Sequence, residues 1–296
     1  MSKRREWIIS LVIILPVLLL EGAQAQRGLQ GADPGGLPDL IVDQHRLATS
    51  WVIYEETLPA EFCSVQEAGI APGVHRTLRF TVTTPNIGTA DLVIGDPLAH
   101  VDPNGDGNFS DSDGLFELAS CHNHFHFRNY ATYEIFPLGS NRPIQAKKRG
   151  FCMVDVTSWQ SEGTPPKSWV YRSCGTTTRH GNQGISTGWA DTYFKWLGGQ
   201  YFLLDDPEEP IRSGEYFIRI TVNPPFVAKN KKEPCPAVDS QGFCHMLKES
   251  NYDNNVAEAQ ITVPDRVGKT GFGPGSGVTP PGTEPLDDEN RPTEKK

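Results

Sequence analysis

The chain has 296 residues, six cysteines and a formal net charge of −9 at pH 7. That acidic balance argues against a nucleic-acid partner, which would demand a basic face. Only the N-terminus carries a long apolar run, so a multi-span membrane protein is excluded.

Met1 to Arg5 form a basic lead-in to the apolar run from Ile8 to Leu20, which Pro16 interrupts. Ala23-Gln24-Ala25 then offers the small residues that a signal peptidase reads. Residues 1–25 are therefore expected to be a secretory signal peptide, making the mature protein secreted or extracytoplasmic and free of the membrane. Removing Lys3, Arg4 and Arg5 with Glu6 and Glu21 leaves a mature charge of about −10. Such a surface could recruit a basic protein, although acidic surfaces are common among soluble proteins. Residues 26–36 read as a Gly-rich flexible linker, and one domain is expected over 37–265. The Pro-, Gly- and charge-rich residues 266–296 have few apolar side chains and are expected to be disordered.

Within the domain, helical periodicity is scarce. Strand-like runs recur at Leu78–Thr84, Asp91–Ile94, Tyr130–Phe136, Glu215–Val222 and Val256–Val263, separated by Gly, Pro, Asn and Asp. The expected fold is all-β, a β-sandwich with long irregular loops. Cys63, Cys121, Cys152, Cys174, Cys235 and Cys244 are an even set in an oxidising compartment, so three disulfides should staple it. Six cysteines permit fifteen pairings. The short spacing of Cys235 and Cys244 favours a local bond.

The segment from Asp102 to Asp113 follows the grammar of a calcium loop. Asp102, Asn104 and Asp106 occupy positions one, three and five, Gly107 position six, and Asp113 stands where Glu is usual. Oxygen ligands at this spacing suit a hard cation such as Ca2+, and an acidic Asx-turn loop without an ion is the alternative. Asn108-Phe109-Ser110 is also a glycosylation sequon.

Cys121-His122-Asn123-His124-Phe125-His126-Phe127 follows. The chain has eight histidines, and three fall within these seven residues. In an extended strand His122, His124 and His126 share one face, while Cys121 faces the other way. Three imidazoles on one face suit Cu, Zn, Fe or Ni, and the alternative is a polar strand face without a ligand. The facing argument favours a disulfide for Cys121 over a role as fourth ligand.

Further on, Lys147-Lys148-Arg-Gly-Phe151-Cys152 precedes a polar region with Cys174 and His180, then Gly184-Ile-Ser186-Thr-Gly188-Trp-Ala-Asp191-Thr192-Tyr193. On propensity the last run is a glycine-hinged loop ending in an aromatic. Asn254 and Asn255 read as a turn cap before the final strand.

Taken together, these stretches resemble the lysyl oxidase family, the copper amine oxidases that carry a lysine tyrosylquinone. Cys121 to His126 matches its Cys-His-x-His-x-His copper strand, Lys148 to Cys152 its Lys-x-x-Phe-Cys element, and Gly184 to Tyr193 its Gly-x-Ser-x-Gly-x-x-Asp-Thr-Tyr element. Softer matches are Leu37–Leu40, Asn86–Leu92, Gly214–Tyr216 and Asn254–Val256, so the resemblance covers residues 37–263. It implies copper on His122, His124 and His126, and a quinone cofactor formed from Lys148 and Tyr193. Lys148 rather than Lys147 follows from counting back from Phe151-Cys152. The resemblance also implies a Cys121–Cys174 disulfide, which, with Cys235–Cys244 local, leaves Cys63–Cys152. His180 lies one residue off a family histidine and is a candidate near the cofactor. The chain departs from the animal pattern in its fewer cysteines, its extra residues between Lys148 and Tyr193, and its Asp-rich loop, which leaves the substrate open.

The implied reaction is oxidative deamination of a primary amine, peptidyl lysine included, to an aldehyde, with O2 reduced to H2O2 and NH3 released. Zinc could fill the same histidines but cannot cycle in redox state. Asp191 would share a strand face with Tyr193 and is the candidate base. Two rivals remain. A non-haem iron oxygenase would need a carboxylate three or four residues after the histidine pair, where Asn129 and Tyr130 stand. A non-catalytic metal-binding β-sandwich would need the histidines but neither Lys148 nor Tyr193.

Overall fold

The computed structural model describes residues 35–148, 150–159, 169–230, 233–280, 282 and 284. The expected signal peptide and nearly all of the linker lie outside them. Among the described residues the strands are β1 (Trp51–Leu58), β2 (Gly73–Phe80), β3 (Val82–Pro85), β4 (Leu92–Gly95), β5 (Phe116–Ala119), β6 (His124–Phe127), β7 (Ala131–Pro137) and β8 (Ile144–Gln145). They continue as β9 (Thr157–Ser158), β10 (Gln183–Ile185), β11 (Trp189–Tyr193), β12 (Tyr201–Leu203), β13 (Gly214–Val222), β14 (Ala237–Val238), β15 (Cys244–His245) and β16 (Val256–Val263). Three short helices interrupt them: α1 (Gln44–Thr49), α2 (Cys63–Ala68) and α3 (Leu98–Val101).

The fold is all-β and disulfide-stapled, as its sequence patterning predicts, with its strands divided among several small sheets. The largest runs β16-β13-β7-β8, and two three-stranded sheets run β1-β2-β12 and β3-β11-β9. Period-two patterning explains the first. In β16, Ala257, Ala259, Ile261 and Val263 are buried, while the residues between them are exposed. β13 buries Tyr216, Ile218, Ile220 and Val222. The expected strand over 78–84 is two strands, because the chain crosses from one sheet to another at Thr81. The long edge strand β1 was not legible as a period-two run.

A file of aromatic rings leads through the core. Phe202 stacks on Phe80, Phe80 meets Tyr133, Tyr133 meets Phe151, and Phe151 meets Tyr193 edge-on at 5.3 Å. Offset and edge-to-face contacts at such distances are the favoured aromatic geometries. They fix the attitude of Tyr193 before any chemistry is considered.

Part of the expected tail is among the described residues. Phe272 exchanges two backbone hydrogen bonds with Ile53, at 2.8 and 2.9 Å, and its ring packs near Trp51. Phe272 and Gly275 therefore cover part of the free edge of β1. Glycine is required for this approach: a Cβ on Gly273 would fall 2.5 Å from the Trp51 ring.

Candidate metal centre

β5 and β6 form a hairpin in which Ala119 pairs with His124 and Glu117 with His126. His124 and His126 thus share a strand face, as alternation requires. His122 does not belong to that strand. It lies in the connecting turn, where Asn123 adopts a left-handed φ of 53°. The turn swings His122 back onto the other two. Among the described His, Cys, Asp and Glu side chains these three form the one convergent group, with ligand atoms within 4.8 Å of one another.

All three imidazoles are buried. The Nε2 atoms of His124 and His126 lie 3.0 Å apart. One metal ion bound to both nitrogens at about 2.0–2.1 Å accommodates that separation. The donor set therefore fits a first-row transition metal.

The segment after β8 reaches this group. Phe127 N–H donates to the Phe151 carbonyl at 2.7 Å, docking the segment alongside β6. Gly150 lies so close to His126 that a Cβ there would stand 2.0 Å from Nδ1. Lys148 turns inward, its Nζ 4.7 Å from the Tyr193 ring centroid and 5.4 Å from that of Phe151. Lys147, which also lines the cleft beside the histidines, ion-pairs with the buried Asp206. The two adjacent lysines thus differ in partner. Tyr193 is buried, and its hydroxyl donates to the Cys152 carbonyl at 2.9 Å. A narrow cleft of about 10 Å³, room for about one water, is lined by His122, His126, Lys148, Ser64 and Glu67 among others. Glu284 accepts a hydrogen bond from Ser64 N–H at 3.1 Å at its margin.

Asp191 and Tyr193 do share a face of β11, and Asp191 is buried opposite Thr84. Burial first, and the Asp191 carboxylate second, hold the Tyr130 hydroxyl pKa well above its ordinary value. His180 is exposed and ion-pairs with Asp96; it does not join the histidine group. The Asp-rich loop closes on itself. Asp102, Asn104 and Asp106 accept hydrogen bonds from backbone N–H groups of residues 106–108, while Asp113 pairs with His100 at 2.6 Å. Asp102 and Asn104 thus meet at the Asp106 N–H, while Asp113 is engaged by His100.

Two of the three expected cysteine assignments are corrected. The disulfides are Cys63–Cys121, Cys152–Cys174 and Cys235–Cys244. The local bond is as expected, and Cys121 is a disulfide partner rather than a ligand. Its partner is Cys63 because the hairpin turn carries Cys121 toward α2, while Cys152, following the docked Lys148 segment, meets Cys174. Sequence reasoning also missed Glu67, whose Oε2 lies 3.2 Å from His122 Nδ1, and Asp155. Asp155 is fully buried and accepts from Ser186 N–H and Oγ–H and from the N–H groups of Val170 and Tyr171. Burial raises its pKa while those four donors oppose the shift. The Gly184-x-Ser186 stretch is thus anchored by a carboxylate that no local spacing announces.

No curated protein matches the chain. A family model described as lysyl oxidase matches residues 38–234, a span holding the histidine hairpin, Lys148, Asp191 and Tyr193. On that match the chain belongs to the lysyl oxidase family, which supports a copper amine oxidase type of function in general.

Proposed function

We propose that the protein is a secreted copper amine oxidase. It would convert a primary amine, oxygen and water to an aldehyde, ammonia and hydrogen peroxide. Peptidyl lysine is among the amines it would accept. The observation that carries this reading is Lys148 Nζ lying 4.7 Å from the Tyr193 ring centroid, on a segment whose Gly150 abuts His126.

His122, His124 and His126 would hold copper. When present, copper supplies electron transfer with O2 to oxidise the Tyr193 ring, and the lysine tyrosylquinone made from Lys148 and Tyr193 supplies an electrophilic carbonyl for the substrate amine. The chain's own part is positional. Phe151 and the Cys152 carbonyl hold the Tyr193 ring in one attitude. Asp206 holds Lys147 away, so Lys148 is the amine presented to that ring. Burial of Tyr193 keeps bulk water from competing. Asp191 is the group proposed to remove the proton from the carbon beside the substrate nitrogen. A non-catalytic metal-binding protein would need the histidines but would leave the Lys148–Tyr193 contact without a purpose.

The test uses mature protein loaded with copper in air. It should show a quinone absorbance band, a Lys148–Tyr193 cross-linked peptide by mass spectrometry, and amine-dependent peroxide release. Tyr193→Phe should abolish peroxide release while copper content stays stoichiometric. Unchanged peroxide release in that variant, or no cross-linked peptide in the parent, overturns the reading.

A further inference from the structure

We propose that Glu67 is the positioning residue for His122. With a metal bound, its carboxylate would accept the Nδ1–H of the imidazole and so present Nε2 to the ion. The proposal rests on the three histidines being a metal site, but on neither copper nor quinone chemistry.

The need for such a residue follows from the hairpin. His124 and His126 stand on β6, where the ladder to β5 fixes their backbone, and Gly150 closes on the His126 ring. His122 stands on the turn before the strand and has no ladder partner. Its ring needs an anchor from elsewhere, and α2 provides one. Cys63 opens α2 and is bonded to Cys121, the residue before His122. Glu67 lies four residues after Cys63, one helical turn along the same face. The disulfide and the carboxylate thus grip Cys121-His122 at two points from one helix. Glu67 Oε2 lies 3.2 Å from His122 Nδ1. The pair lies at ion-pair distance without hydrogen-bond alignment, and His122 Nδ1 and Glu67 Oε1 are both buried without a hydrogen-bond partner.

A neutral imidazole carries one proton, on either nitrogen. A carboxylate at Nδ1 favours the tautomer that leaves the Nε2 lone pair for the metal, and it raises the basicity of that lone pair. Lysine or arginine at position 67 would invert this preference.

Metal-free mature protein is titrated separately with Zn(II) and Cu(II) against a competing chelator, and the Cu(II) form is examined by electron paramagnetic resonance. Circular dichroism and disulfide mapping monitor the fold. Glu67→Ala should weaken both metals by about 10–100-fold and shift the copper hyperfine splitting. Glu67→Gln, whose amide oxygen still accepts from Nδ1–H, should restore much of the affinity. Unchanged affinity and an unchanged spectrum in Glu67→Ala overturn the proposal while leaving the metal site standing. Equal losses in both variants accompanied by an unpaired Cys63–Cys121 also overturn it, since Glu67 would then serve folding alone. A parent protein that binds neither metal stoichiometrically overturns the metal site itself.

Discussion

Gly150 shows how much the site depends on one missing side chain. Its neighbours Phe151 and Cys152 bear the recognisable motif, yet Gly150 is the residue that lets this segment lie against His126. A methyl group there would stand 2.0 Å from Nδ1 and 2.4 Å from Cγ of the imidazole. No rotamer change in Gly150→Ala relieves this, because Cβ is fixed by the backbone. Either His126 leaves the group or the Lys148 segment lifts from β6. Metal affinity should fall by at least about tenfold, as for loss of a strong orienting contact. Overpacking should lower stability by only about 1–3 kcal/mol. Chelator competition and denaturant unfolding of the same sample separate the two effects. An unaltered metal affinity would mean that the contact relaxes without cost.

At the scale of elements, α2 is six residues long and could not persist alone. The Cys63–Cys121 bond ties it to the hairpin turn, and Val65 packs it against Leu58, Tyr201 and Leu203. Non-reducing peptide mapping should therefore recover the Cys63–Cys121 and Cys152–Cys174 pairs, not Cys121–Cys174. Replacing Cys63 and Cys121 together by serine should reduce unfolding stability by about 2–4 kcal/mol, measured in denaturant. Metal affinity should fall with it, because Glu67 loses its mooring. The tail teaches a related lesson. Its glycines and prolines suggest disorder by composition, yet Gly271 and Gly273 are what allow Phe272 to lie flat along β1.

For the molecule as a whole, a buried carboxylate ties the two ends of the domain. Glu249 accepts from Leu40 N–H at 2.5 Å, Asn223 Nδ2 at 2.6 Å and Asn255 Nδ2 at 3.0 Å. Burial pushes its pKa up from 4.5 to about 7, against the pull of those donors. The folded state therefore holds the proton more tightly than the unfolded chain. Between pH 4.5 and about 7 it binds more protons, so stability falls as pH rises through that window. The loss is on the order of 3 kcal/mol. Denaturant unfolding at pH 5 and pH 7.5 should show the fall, and Glu249→Gln should remove that pH slope whatever its absolute stability. A parent whose stability is flat between these pH values would mean Glu249 stays ionised in the fold.

The sequence by itself determined what is periodic or contiguous. Alternation placed the buried face of β16 and put Asp191 with Tyr193 and His124 with His126, because a strand's side-chain period is a local property. The motif strings carried the family and the choice of His122, His124, His126, Lys148 and Tyr193. Alternation gave the right company for His122 by the wrong route, since the chain turns at Asn123 instead of continuing as strand. Only the tertiary structure decided what meets across long separations. It decided which cysteine Cys121 joins, which lysine lies over the Tyr193 ring, and that Glu67, 55 positions before His122, reaches its imidazole. It also decided that the described tail caps an edge strand. Such contacts are set by the path of the whole backbone, and no spacing within one stretch encodes them.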